Sequence, residues 1–291
     1  MSVSLHKDSR QLNLLYTKRQ LVNRIGLTLS VLATLFGLFW LGWLLWTLFG
    51  SGLRWISPRL FVEATPPPGA NGGLANAILG SVILTAAGVG MGAPAGILAG
   101  TYLAEFGRHS RLGAIVRFVN DILLSAPSII VGVFVYALVV VRAGHFSGWA
   151  GALALALIVL PVVVRTTENM MRLVPDGLRE AAAALGAPRW KVTMVVVYRS
   201  ALPGIMTGVL LAMARVSGET APLLFTALNN QFWSTDMSRP FPNLPAVIFQ
   251  FAMSPYDDWQ HLAWAGALLI TVTILVINIV ARFLLRRTRS N

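Results

Sequence analysis

Three ionisable side chains stand inside long apolar runs of this 291-residue sequence: Asp121, Arg215 and Glu219. Placing a charge at bilayer depth costs about 2.5–3.5 kcal/mol on insertion scales, so such residues are functional candidates by default. Arg215 and Glu219 are four apart and share one face of a helix, where they can pair. Two readings follow from that pair. In one it is a buried ion pair that holds helices together. In the other Arg215 lines an aqueous pathway as a permanent, forked cation matched to an oxyanion, and Glu219 moderates the field so that an anion is attracted without being trapped. Asp121 follows Arg117 by four residues and reads as its structural ion-pair partner. Arg165, with Glu168 three residues on, offers a second basic position.

Other chemistries lack their residues. A phosphate-cradling Walker loop needs Gly-Lys-Ser/Thr, whereas the three lysines follow His6, Thr17 and Trp190. The Gly88-x-Gly90-x-Gly92 string lies within an apolar run, without a helix N-terminus in water behind it. His6, His109, His145 and His261 are widely separated. No His-Glu-x-x-His or Gly-x-Ser-x-Gly pattern occurs, and no metal site is read. With no cysteine, disulfides, thiolate metal sites and cysteine nucleophiles are excluded. The chain therefore reads as a non-enzyme, an intramembrane enzyme being the minor alternative.

The elements that must carry these charges are set by composition. Hydrophobic residues make up 56% of the chain and charged ones 12%, with a mean hydropathy of +0.69. That balance exceeds what a water-soluble globule hides. Runs of roughly 20 apolar residues mark membrane crossings. Six are read, near 24–50, 74–101, 114–141, 148–169, 203–226 and 261–285. The expected fold is an all-α polytopic membrane protein with six transmembrane helices. Its parts are an N-terminal segment 1–23, a first span 24–50, a Pro/Gly-rich outer loop 51–73, a core 74–285 and a basic tail 286–291. The polar stretch 170–202 falls between the fourth and fifth spans. The polar first 22 residues precede an apolar run too long for a signal-peptide core, which reads as a retained span.

The net charge of +12 follows the same topology rather than a nucleic-acid interface. With both termini cytoplasmic, 18 of the 23 basic residues fall on that side, four (Arg54, Arg59, Arg142, Arg239) fall outside, and Arg215 is left within a span. Trp40, Trp43, Trp46 and Trp55 cluster near the outer end of the first span as interfacial anchors. Gly88, Gly90, Gly92, Gly96 and Gly100, with Pro94, Pro127 and Pro161, suit closely approaching, kinked helices.

The loop from Leu173 to Lys191 has its own local logic. Asp176 is a helix cap, residues 178–185 are strong helix formers, Gly186 suits a left-handed stop and Pro188 opens the next helix. The alanines offer a face for close packing by another protein, with Arg179 and Glu180 as polar contacts at its edge. A solvated connector fits the same pattern equally well.

Glu180-Ala181-Ala182 followed by Gly186 resembles the EAA loop of binding-protein-dependent ABC importers. The resemblance implies that Glu180, Ala181, Ala182 and Gly186 form a coupling helix seated in a groove of a separate ATPase. Where that pattern often has Leu-Pro, this chain has Tyr198-Arg199. Ala214-Arg215-Val216-Ser217-Gly218-Glu219-Thr220-Ala221-Pro222-Leu223-Leu224-Phe225-Thr226-Ala227 resembles the signature of the PstA-type permeases of bacterial phosphate ABC importers. Val164 to Met170 and Ser125 to Gly132 agree with it, and the likeness runs from about Leu74 to Leu285.

That resemblance implies a type I importer (MetI-like) permease fold and a multi-pass protein of the bacterial inner membrane. It implies a heterodimer with a PstC-type permease, a PstB-type ATPase dimer that binds the ATP and Mg, and a PstS-type periplasmic or lipid-anchored phosphate-binding protein. No cofactor is expected on this chain itself. Passage of inorganic phosphate is assigned by resemblance to Arg215 and extended to Arg165. The alternatives are a permease for another oxyanion, sulfate or molybdate, and an ion-coupled secondary transporter.

Overall fold

The computed structural model describes residues 2–108 and 110–288; of the residues discussed above, His109 and Arg289 lie outside that set. The described residues form helices and connecting loops, with no strand among them. The chain divides into two compact units, Met1–Ser51 and Gly52–Asn291. The first is occupied by one uninterrupted helix, α1 (Ser2–Leu53), so the polar start of the chain and the first apolar run are a single element. Its Lys18–Leu53 part is 36 residues long and contains an 18-residue window of mean hydropathy 1.9, ample for a crossing.

In the second unit a single 3₁₀ turn, Pro58–Phe61, precedes α2 (Ala75–Glu105), α3 (Arg111–Ser125), α4 (Ser128–Ala143), α5 (Gly148–Arg172) and α6 (Asp176–Ala184). There follow α7 (Arg189–Val216), α8 (Ala221–Thr226), α9 (Leu244–Ala252) and α10 (Asp257–Thr288). Side-chain caps start three of them: Ser110 accepts from the Gly113 amide, Ser147 from Ala150 and Asn243 from Ala246. Among the described residues five helices are long and apolar enough to cross a membrane, and there are six crossings if α3 and α4 count as one broken span.

Two expected spans take a different form. The run 114–141 is not one helix, because its halves meet at 105°. Pro127 lacks an amide hydrogen and forces Ala126 into an extended conformation (φ −67°, ψ 132°), so the helix must stop there. The run 203–226 starts earlier and ends earlier, as α7. Pro188 opens α7 at Arg189, which narrows the polar loop to 173–188, and a π-helical stretch at Val192–Val197 leads into its apolar length. The helix ends at Val216, the chain turns through residues 217–220 with Gly218 in it, and Pro222 sits in the first turn of α8, where its missing amide hydrogen costs nothing.

The packing centres on α5, of whose most apolar window 67% is buried. It meets α2 along a glycine seam with a four-residue period. A Cβ built on Gly88 would lie 2.7 Å from the Leu155 Cβ, and one on Gly92 would lie 2.7 Å from the Ala156 carbonyl oxygen. At Gly96 the distance is 2.8 Å to the Val163 Cβ, and at Gly100 it is 2.7 Å to the Thr167 Cβ. Only hydrogen fits at these positions, and the small residues let the two backbones approach. Around the seam Leu84, Leu155, Val159, Val163, Ala212, Val216 and Phe241 form the main core. Smaller clusters close its two ends, one around Leu74, Val247 and Phe251, the other around Ala104, Met171, Val197 and Ile205.

The seam makes a prediction with a built-in contrast. Gly92→Ala drives a methyl group into the Ala156 carbonyl and is expected to destabilise by about 1–3 kcal/mol. Gly90→Ala, with nothing within 4 Å of its Cβ, is expected to be neutral or slightly stabilising through helix propensity. Thermal unfolding of the two variants in the same detergent measures the difference.

Candidate functional site

Arg215 occupies the last turn of α7, and its side chain is exposed. Among the described residues it has no carboxylate partner and no hydrogen-bond acceptor. The expected pairing with Glu219 is absent for a local reason. The i, i+4 argument needs a continuous helix from 215 to 219, whereas the helix ends at Val216 and turns through Ser217 and Gly218. Glu219 is half-buried, and its backbone amide closes the turn onto the Val216 carbonyl at 3.2 Å. Gly218 is held close to α10, a Cβ there lying 3.1 Å from the Ile274 side chain. A guanidinium without a carboxylate is costly in hydrocarbon, by about 2.5–3.5 kcal/mol on insertion scales, which sets Arg215 apart from the paired charges of the bundle.

The other membrane-level charges regroup across helices. Arg117 does not pair with Asp121. Its Nε donates to Glu168 Oε1 at 2.7 Å, and its Nη2 donates to the Leu103 and Gly107 carbonyls at 3.0 and 3.1 Å. Arg172 reaches the same Glu168 oxygen at 2.7 Å. Glu168 is only 3% exposed, so two cations and a dry setting hold one carboxylate at the junction of α2, α3 and α5. Asp121 is left to Arg165, at 3.7 Å in an open setting with both side chains about half exposed. Spacing along α3 puts Arg117 and Asp121 on one face. The buried carboxylate of α5 takes the nearer arginine because an uncompensated charge there costs most.

At the same end of the bundle α6 forms where the local reading placed it. Gly186 takes the left-handed conformation (φ +81°) that ends it. Asp176 is the first helical residue rather than the cap, which is Pro175, and its carboxylate faces Arg108 at 3.7 Å and Arg179 at 3.4 Å. Glu180, Ala181 and Gly186 are exposed together with Leu178 and Leu185, whereas Ala182 is half-buried. This free face is suited to a partner. Arg179, read from the sequence as an edge contact on that face, points into the bundle instead. It forms an ion pair with Glu105 at the end of α2 and donates to the Met171 carbonyl at 2.8 Å. Glu105 carried no signal in the sequence beyond closing an apolar run.

At the opposite end the buried polar groups are uncharged, and the ion pairs Arg59–Glu63 and Arg239–Asp236 are open to solvent. The buried Asn76 side chain links Thr65 to the Gln231 carbonyl, and Asn243 holds the Leu228 carbonyl at 2.8 Å. His261 stacks on Trp55 with ring centroids 3.5 Å apart, and His145 contacts the neighbouring Phe146 carbonyl.

A multi-pass helical bundle with an exposed short helix at its charged end is the architecture of a transporter's membrane component. The model of the family described as binding-protein-dependent transport system inner membrane component matches residues 92–290, and the chain belongs to that family. Its fold is that of ABC importer permeases. It superposes with a TM-score of 0.58 on a chain of the MetNI methionine ABC transporter solved in inward-facing conformations, at 20% identity, covering 73% of this chain and 92% of that one. Within the family the chain is similar to proteins named phosphate transport system permease protein PstA. The Pasteurella multocida protein is 60% identical over 91% of this chain and 94% of its own length. The Yersinia pestis protein is 57% identical over 93% and 92%. These relatives are permeases, components of transport systems rather than enzymes.

The two ion-pair settings predict unequal costs. Glu168→Ala leaves Arg117 and Arg172 facing each other and is expected to destabilise by roughly 3–5 kcal/mol. Asp121→Asn opens an exposed pair and is expected to cost less than about 1 kcal/mol. Thermal melts of the purified variants rank them.

Proposed function

We propose that this chain is the transmembrane permease subunit of an ATP-driven phosphate importer, forming half of the translocation pathway and coupling it to a separate ATPase. The observation that carries the reading is the 60% identity, over nearly the full length of both chains, to a phosphate transport permease. The unpaired guanidinium of Arg215 agrees with it, since a fixed fork of donors without a carboxylate of its own suits an oxyanion in transit. Glu219, half-buried four residues on, tempers the positive field, and an affinity kept modest lets the anion leave. Arg165, in its exposed pair with Asp121, is a second stepping point, because such a pair opens at little cost.

In this reading the complex contains a PstC-type permease, a PstB-type ATPase dimer and a PstS-type phosphate-binding protein, in the inner membrane. ATP and Mg bind the ATPase and not this chain. Both termini lie in the cytoplasm, consistent with the basic residues gathered around α6. Glu180, Ala181 and Gly186, with Leu178 and Leu185, meet the ATPase, and Ala182 packs behind them. Closure of the ATPase dimer on ATP shifts α6 and with it the balance between inward-facing and outward-facing bundles.

Uptake by the four-component complex in vesicles tests the reading. Arg215→Gln is expected to lower ATP-dependent phosphate uptake on the order of 10- to 100-fold, the loss of charge-assisted hydrogen bonds worth about 1.5–3 kcal/mol. Unaltered uptake in an assembled complex would remove Arg215 from the pathway. Sulfate or molybdate accumulated in preference to phosphate would change the cargo.

A further inference from the structure

The coupling of α6 to the rest of the molecule runs through very little material. The helix has nine residues and none of them is buried. A helix of that length does not hold itself together in water and depends on its attachments. Beside it a cleft of about 310 Å³, lined by Glu105, Phe106, Ala183, Arg189 and Thr193 among others, keeps much of its inner face off the bundle.

Across this gap reaches Arg179. Its guanidinium meets the Glu105 carboxylate, the Met171 carbonyl at the end of α5 and, at 3.4 Å, the Asp176 carboxylate of its own first turn. The other Glu105 oxygen lies 3.4 Å from the Thr193 hydroxyl in the first turns of α7, whose one proton it shares with the Arg189 carbonyl at 3.1 Å. Arg179 and Glu105 are 17% and 12% exposed, so water screens their attraction poorly. The remaining ion pair between α6 and the bundle, Arg108 with Asp176, is longer at 3.7 Å and open to solvent.

We propose that the Arg179–Glu105 pair is the strut that transmits displacement of α6 to the transmembrane helices, so that both are positioning residues for coupling. This rests on the transport reading above. Three long helices converge on the pair: α2 through Glu105, α5 through Met171 and α7 through Thr193. A planar fork binding two acceptors at once resists rotation in a way a single contact does not. Because α2 and α5 are locked along their glycine seam, a push delivered to Glu105 moves them together. Glu180 and its exposed neighbours seize the ATPase, and the adjacent Arg179, turned toward Glu105, carries the motion inward.

The test uses the reconstituted complex and reads ATP hydrolysed per phosphate taken up, together with retention of the ATPase on purification. Glu105→Gln keeps size and an acceptor oxygen but removes the charge. It is expected to raise that ratio about tenfold, within the usual range of coupling between sites, while the ATPase remains bound. Arg179→Gln is expected to do the same, and the double variant to be no worse than either alone, as for two halves of one contact. Arg179→Lys, which keeps the charge without the fork, is expected to fall between.

A ratio unchanged in Glu105→Gln would overturn the strut. So would loss of the ATPase or of folding in every variant including Arg179→Lys, since the pair would then be merely structural. If the unaltered complex showed no ATP-driven phosphate uptake, the transport reading would fall, and the strut with it. Normal uptake by the unaltered complex with unmoved ratios would sink the strut alone.

Discussion

The close approach of α2 and α5 is the constraint on which the rest of this structure depends. In a bilayer the tails of lipids solvate leucine as well as a neighbouring helix does, so association has to come from packing and polar contacts. Four glycines, one per turn and a fraction, bring the α2 backbone against Leu155, Ala156, Val163 and Thr167. A similar device joins the broken span to the α8 segment, where a Cβ on Gly132 would stand 2.6 Å from the Cα of Pro222. These contacts fix the register of the two central helices and hence the positions of everything attached to their ends. Glu105 closes α2, while Glu168, Met171 and Arg172 close α5, and each has a part in the polar network beyond the seam.

Charge is distributed unevenly along this frame. At one end the carboxylates of Glu105 and Glu168 are nearly dry and each is held by arginine, with the Leu103, Gly107 and Met171 carbonyls accepting further bonds from Arg117 and Arg179. These pairs fasten α3, α5, α6 and α7 around the end of α2. Toward the middle the arrangement reverses. Asp121 and Arg165 meet loosely in the open, and Arg215 meets no carboxylate among the described residues. The molecule is thus stiffened by nearly dry ion pairs at the α6 end, while the Asp121–Arg165 pair and Arg215 are left open. The helix breaks at Pro127 and at Gly218 lie near these looser charges, and irregular backbone at depth is tolerated where it is covered by protein or borders an aqueous cavity.

Much of the fold was legible from apolar run length, which does not depend on tertiary contacts: the second, fourth and last spans fall close to α2, α5 and α10, and the first lies within the longer α1. The short helix 176–184 and its left-handed stop at Gly186 were equally readable, being dictated by local backbone preference. What failed was pairing. Arg117 with Asp121, and Arg215 with Glu219, are neighbours by helical spacing, and spacing along one helix cannot register a buried carboxylate on another or a helix that ends between the two. Pro127 was legible as a kink but not as a 105° corner, because hydropathy continues unbroken across it. The inward turn of Arg179 had no local signal, since its partner lies 74 residues earlier.

Whether the uncommitted guanidinium of Arg215 borders the phosphate path is decided by chemistry at that position. The chain has no cysteine, so Arg215→Cys introduces a single thiol into an otherwise unreactive background. In the assembled complex this thiol should react with a small charged, water-soluble thiol reagent, and phosphate presented with the binding protein and ATP should slow the reaction. A thiol that reacts only with lipid-soluble reagents, or whose modification rate ignores phosphate, would contradict the account.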